Sequence, residues 1–495
     1  MTASQIEDSA KSHEPAHGSR HKFPRVYGVV HTAMFGIAYQ GPTAGVFFLA
    51  PVALVFLGPA AIWTLPIILI AQLLVMLVWR EVVSTYPLEG GIYQWARALA
   101  GDRLGFIAGL FYFVALVVVL TTVGLVATGL LNGLFPSFSA STGNQVLVTI
   151  VFMILLLGTT LLSQRAVALL NTSGVIAELA VLFGAGLILL IGHRQHGLSV
   201  LVQDEGALAG HNVGYGMLIA IAVMAALMLG SETAGIFAEE VKDSRRTSGR
   251  AMVIACLAVA VSAAVFMLGL ILATRDLKEA IAHPELWIAA TLNQAFGSTG
   301  AAIFLVGALV ATFSTGVATL SAAGRVLFGI VRESYLPGSE VITRLNRKTG
   351  QPVVALTITA ALSLVPLVYA SKAGVLAAAI TGSLVTTYVL VIGALLFRRA
   401  RGWQPAAGGF SLGRWAWPVN IIAFVWVFGL FIDLLWKRDA TNPDLGPLPV
   451  LWEAIIAIAL VSIPLYALGA TGRRNAKRAS IDDVVSGLFA EDRDA

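Results

Sequence analysis

The sequence predicts an all-α membrane protein of twelve transmembrane helices, and three observations carry that expectation. Of 495 residues, 57% are hydrophobic and only 12% charged, whereas soluble domains carry about 25% charged residues. Apolar stretches of roughly 20 residues recur along the chain, each long enough to cross a ~30 Å hydrocarbon layer as a helix. Finally, 26 of the 32 Lys and Arg residues fall in alternate connecting segments and the tails. That asymmetry marks those segments as cytoplasmic and places both termini there.

The same numbers exclude other classes. So little charge leaves nothing to cover a water-facing surface, and a net charge of +5 supplies no basic face for nucleic acid. Cys256 is the one cysteine, which excludes a disulfide framework and a cysteine metal site. No motif for a cofactor is found, and none for a nucleophile or a phosphate loop.

Residues 1–24 are polar and read as a cytoplasmic tail rather than a cleaved signal. A twelve-helix domain follows over 25–470. Its first five spans are predicted at 26–50, 58–79, 104–131, 146–163 and 169–192, forming one repeat over 26–192. The next five, at 213–237, 251–273, 298–324, 353–371 and 374–397, form a second over 213–397. Spans 11 and 12, at 416–436 and 449–469, complete the domain over 416–469, and 471–495 is a second charged tail. Between spans 2 and 3, Tyr93, Trp95, Ala96, Leu99 and Ala100 predict a short amphipathic helix at the membrane interface. The tryptophans near span ends (Trp63, Trp79, Trp95, Trp415, Trp417, Trp436) are expected to form interface belts. Residues 275–297 read as short helical pieces on the outer face.

Two spans break the apolar pattern. Span 1 carries Gln40-Gly41-Pro42-Thr43-Ala44-Gly45, and span 6 carries Leu229-Gly230-Ser231-Glu232. Proline at that depth removes a hydrogen bond and clashes with the preceding turn, while glycine lowers the cost of unwinding. Spans 1 and 6 are five apart, so a five-helix repeat puts the breaks in corresponding slots of two inverted halves, the pattern expected at a secondary transporter's binding site. Unwound backbone in lipid must face protein, water or ligand. The half-helix N-terminus offers N–H groups to a carboxylate and the freed carbonyls receive an ammonium, so the site suits a zwitterion or an amine.

At this point the chain resembles the amino acid–polyamine–organocation superfamily, most closely its amino acid/choline transporters. The stretches that carry the resemblance are EVVSTYPLEGGIYQWARALAG at 81–101, GSETAGIFAEEV at 230–241, SAAGRVLFGIVRESYLP at 321–337 and NRKTGQPVVA at 346–355. The resemblance implies a LeuT-like inverted five-plus-five repeat with broken helices 1 and 6. It also implies alternating access, by which a permease of the cell membrane carries an amino acid or amine across the lipid bilayer. By position, Thr43, Ala44 and Gly45 and Leu229, Gly230, Ser231 and Glu232 match the family's substrate-binding tracts, and Gln40, Gly41 and Pro42 of the same break join them as substrate-binding candidates. Many sodium-independent members have a lysine in span 5; here Glu178 stands near that place, and a carboxylate at membrane depth is a functional candidate, here for proton coupling. Ser314 and Thr315 in span 8 are candidate hydroxyl ligands, and Glu239 and Glu240 candidate gating residues beside Lys242, Arg245 and Arg246. Arg80 and Glu81 read as an interface pair. The main rival is a membrane nutrient sensor that binds the same ligand without transport; the tails of roughly 25 residues carry no evident recruiting motif. An enzyme ranks below both.

Overall fold

The computed structural model describes residues 25–469 apart from 136, 139, 140, 209, 335, 337 and 437–449. Both predicted tails, 1–24 and 471–495, therefore lie outside the described residues, as does the loop before span 12. Among the described residues the regular structure is helical, with one isolated parallel bridge between Tyr27 and Val241.

The chain opens with α1 (Val29–Gln40) and α2 (Pro42–Leu57), which share span 1, and a 3-10 turn at Gly58–Trp63 leads into α3 (Thr64–Thr85). Next come α4 (Ile92–Ala100), α5 (Asp102–Leu134), α6 (Thr142–Thr160) and α7 (Gln164–Gly192). Span 6 begins as α8 (Val213–Met224), after which only short 3-10 pieces occur until α9 (Ser244–Ala273). The remainder is α10 (Leu277–Ala282), α11 (Pro284–Ser334), α12 (Ser339–Ile342), α13 (Val353–Leu362), α14 (Ala373–Ala400), α15 (Ala416–Leu435) and α16 (Val450–Leu468). By length and composition, nine helical stretches among the described residues suit a membrane crossing, with shorter apolar helices at 353–369 and 452–468. One of the nine, Val29–Thr85, takes in both predicted spans 1 and 2.

Local chemistry explains several ends. Ser163 caps α7 by accepting the Ala166 N–H, and Asn212 caps α8 by accepting that of Tyr215, each satisfying one of the open donors of a first turn. Gly297, with φ 69° and ψ 176°, kinks α11 where the outer-face piece meets span 8.

Helices divide by what they touch. The apolar window of α5 is 78% buried and that of α6 only 22%; the first is interior, the second faces outward along Leu147, Val151, Ile154 and Leu155. Comparable ridges run along α7 (Leu169, Ile176, Ile188, Ile191) and α15 (Ile421, Val425, Phe428, Ile432). Apolar faces this large are compatible with hydrocarbon, not with water, and the protein is a multi-pass membrane protein.

Three expectations are corrected. The apolar face of the short helix α4 is not presented to lipid: Tyr93, Trp95, Ala96 and Leu99 are buried inside the protein. Trp95 packs on Trp79 at 5.6 Å, and its neighbour Gly91 abuts the backbone of Ile236, so a Cβ there would come within 3.2 Å of the Ile236 Cα. Amphipathicity reports an apolar face, and here α5 and α14, with the span-6 tract at Gly235 and Ile236, cover it rather than lipid. Trp79 and Trp95 consequently leave the predicted belt, while Trp63, Trp415, Trp417 and Trp436 stay exposed. Glu81 pairs with Arg399 rather than Arg80, and also accepts the Leu412 N–H at 2.9 Å; Arg80 lies over the Phe410 ring instead.

Candidate functional site

The span-1 break is one residue wide. Gly41 adopts φ 51°, ψ 63° and its N–H closes the last turn of α1 on the Ile37 carbonyl. Pro42 then starts α2 at the position where its missing N–H costs nothing, and Gly45 already donates to the Gly41 carbonyl at 2.7 Å. Thr43, Ala44 and Gly45 are thus first-turn residues of a new helix. The Thr43 N–H is taken: Glu178 of α7 accepts it through Oε1 at 2.9 Å. Glu178 is fully buried and its Oε2 has no partner.

The span-6 break is wide. Past Met224 the chain runs as 3-10 pieces at Ala225–Leu227, Ser231–Gly235 and Ala238–Glu240, turning at Gly230 with φ 102°. Glycine is required there, because a Cβ would collide with the Tyr39 ring. Thr233 secures the turn by donating both its N–H and its hydroxyl to the Gly230 carbonyl, at 3.0 and 2.6 Å. Glu232, fully buried, accepts from Tyr112 at 2.9 Å through Oε1 and from Tyr388 through Oε2. Tyr388 also accepts the Gly230 N–H at 3.2 Å. Each Glu232 oxygen thus meets one phenol hydroxyl.

Between the breaks lies a cavity of about 60 Å³. Of the sequence-predicted residues, Gln40, Gly41, Ala44, Gly45, Leu229 and Thr315 line it. Pro42, Thr43, Gly230, Ser231, Glu232, Glu178 and Ser314 stand behind that wall. Gln40 donates at 3.4 Å to the Leu227 carbonyl, tying one break to the other, and leaves its buried Oε1 unpartnered. Thr315 packs so closely on Gly41 that a Cβ there would sit 2.5 Å from its hydroxyl. Ser314 fills the notch at Gly174 and donates to the Asn171 carbonyl at 3.3 Å. Among the described residues, no cluster of three His, Cys, Asp or Glu groups suits a metal ion.

At the far end of span 6, Glu240 pairs with Arg325 of α11 at 2.7 Å rather than with Lys242, Arg245 or Arg246. The same Arg325 Nε lies 3.1 Å from Glu89, and the guanidinium stacks on Phe237 at 4.7 Å. Burial, reinforced by the Glu240 carboxylate beside it and opposed by Arg325, pushes the Glu89 carboxyl well above the usual range. Glu239 accepts the Glu89 N–H at 3.0 Å. The segment before α1 joins this layer: Val26 and Tyr27 donate to the Glu240 carbonyl, and Lys242 returns a hydrogen bond to Tyr27.

Sequence reasoning missed Tyr112, Tyr388 and Glu89 as parts of the site. A tyrosine within an otherwise apolar span is a usable signal, because its buried hydroxyl needs a partner, but the sequence does not say which.

The comparisons with known proteins agree with this architecture. A family model described as amino acid permease matches residues 22–461. The amino-acid permease BAT1 of Arabidopsis thaliana is 24% identical over 428 residues, covering 77% of this chain and 79% of its own. Amino-acid permease 2 of Neurospora crassa is 24% identical over 373 residues, 70% of this chain and 66% of its own. An uncharacterised amino-acid permease of Schizosaccharomyces pombe is 20% identical over 476 residues, 92% and 84% of the two chains. With a fold of apolar helices, two breaks around a cavity and a family match across most of its length, this chain belongs to the amino acid permease family.

Proposed function

We propose that the protein is a secondary active transporter that carries an amino acid or related amine across the cell membrane by alternating access, coupled to protons in import or exchange. Its twelve spans form inverted repeats over 26–192 and 213–397, with spans 11 and 12 added and both termini cytoplasmic. The substrate occupies the cavity between the breaks, on Gln40 to Gly45 and Leu229 to Glu232. Glu178 is the coupling candidate, Thr315 supports the span-1 break at the cavity wall, Ser314 packs beside it on span 5, and Glu239 and Glu240, with Glu89 and Arg325, close the cytoplasmic side.

The observation that carries this reading is the cavity lined by Gly41 of the span-1 break and Leu229 of the span-6 break, where interrupted backbone from two helices meets. Such breaks are tolerated at membrane depth only where they line a cavity or face protein, and matched breaks mark transporter sites.

Uptake of labelled amino acids and amines into proteoliposomes, with and without an inward proton gradient, tests it. Accumulation driven by the gradient is expected. Ligand binding without uptake identifies the sensor instead. Ser231→Trp, placed in the span-6 break, is expected to abolish uptake with folded protein retained, and wild-type rates in that variant overturn the placement.

A further inference from the structure

We infer that the buried layer of Glu89, Arg325 and Glu240 is a proton-binding site of its own, in which one proton on Glu89 keeps the cytoplasmic side shut and its release to water opens it. The inference goes beyond the carrier reading and rests on it for the layer's place on the cytoplasmic side.

Donors and acceptors in the layer do not balance. Arg325 Nε carries a single N–H. It lies 2.7 Å from Glu240 Oε1 and 3.1 Å from Glu89 Oε1, and the hydrogen bond goes to Glu240. Neither side-chain oxygen of Glu89 accepts a hydrogen bond. The side chains are sealed from water, both acids at 0% exposure and the arginine at 2%. Neighbouring charges do not make up the difference. Arg332, whose charge also reaches Glu89, pairs with Glu333 at 3.1 Å. Arg97 pairs with Glu333 and Asp102, each at 3.1 Å. Glu239 is half-buried and adds negative charge, Lys242 is exposed, and Tyr27 faces the layer as a phenol. Among the described residues, Glu89 and Glu240 are left with one guanidinium between them.

A buried negative charge without its own cation is costly, and two acids that share a site hold a proton between them. Glu240 takes the arginine N–H, so the proton falls to Glu89, in line with the raised range of its carboxyl. With that proton the three groups carry one positive and one negative charge. Once it passes from the Glu89 carboxyl to cytoplasmic water, the surplus negative charge is relieved by hydration, which requires the layer to part. The attachments say which pieces part. Arg325 stands on α11, whereas Glu240 ends the broken span 6, Glu89 precedes α4, and the Tyr27 segment bonded to the Glu240 carbonyl leads into span 1.

A thiol reporter tests this without any substrate. Ser321, one turn before Arg325 on α11, is buried, its hydroxyl has no partner, and its carbonyl accepts from Arg325 at 3.1 Å. Ser321→Cys in a Cys256→Ala background therefore places a thiol at the layer, and its reaction with a water-soluble maleimide is followed on the purified protein as the pH is raised. Glu89→Gln in the same background reports the ordinary pH dependence of the reagent. Relative to it, labelling is expected to rise by about tenfold or more, the ratio that 1.4 kcal/mol produces. Glu240→Gln, which frees Arg325 for an ionised Glu89, is expected to flatten the response as well. Infrared difference spectra give a second measurement. Wild type minus Glu89→Gln should show the C=O band of a protonated carboxyl at neutral pH, fading as the pH rises, and Glu240→Gln should lose that band. Equal labelling profiles with and without Glu89, or no protonated band that depends on it, overturn the inference. Neither measurement involves transport, so this failure and a failure of the carrier reading in uptake are told apart.

Discussion

The interruptions at Gly41 and Gly230 solve the same problem by opposite means. In span 1 a single residue leaves the helix, a proline restarts it, and the exposed N–H is satisfied by a glutamate from another helix. In span 6 the helix is lost over a long tract that carries its own glutamate, and two tyrosines from distant spans hold that side chain. The narrow break borrows its charge; the wide one borrows its donors. Two breaks in apolar spans of one chain are therefore not chemically equivalent.

Substitutions that sharpen or break this contrast follow in order of size. Gly230→Ala is expected to cost most: a positive φ costs about 1–2 kcal/mol for a residue with a Cβ, and overpacking against Tyr39 adds about 1–3 kcal/mol. Transport and thermal stability should both fall well below those of Gly41→Ala, which meets the methyl and hydroxyl of Thr315; equal losses would erase the distinction between the breaks. Next, Tyr388→Phe removes a donor to Glu232 and orphans the Gly230 N–H, whereas Tyr112→Phe removes one donor only. A hydrogen bond to a charged group contributes about 1.5–3 kcal/mol, and the first variant should lose more stability than the second in denaturation of the purified protein. A reversed order would show that Tyr388 does not organise the wide break.

The smallest effect concerns the layer where the two broken helices end. Glu89 is held above the usual carboxyl range, so the folded state keeps its proton at a pH where the unfolded chain has released it. Stability from this group is therefore present at low pH and falls as pH rises from ordinary carboxyl values through the raised one. The melting temperature of wild type relative to Glu89→Gln should decline over that window, and a flat difference would count against the raised value.

Much of this was legible from composition and pattern, since Pro42 among glycines and an acid at position 232 have no use in a plain lipid-facing helix. The breadth of the breaks was not. Proline announces a stop but also starts a helix well, so span 1 reopens after one residue, while nothing in span 6 from Ala225 onward restores the α-helical ladder. Partners were hidden for a different reason: Tyr112 and Tyr388 stand 120 and 156 positions from Glu232, and apolar periodicity gives no register between helices. The helix at 92–100 was readable as amphipathic, but a hydrophobic face does not state whether lipid or protein covers it.

The short pairing of Tyr27 with Val241 has a mechanical consequence. It joins the approach to the first span to the exit of the sixth through peptide groups, which among side-chain replacements only proline deletes. Two segments 214 positions apart in the sequence are thereby held in register by main chain rather than by matched charge or shape.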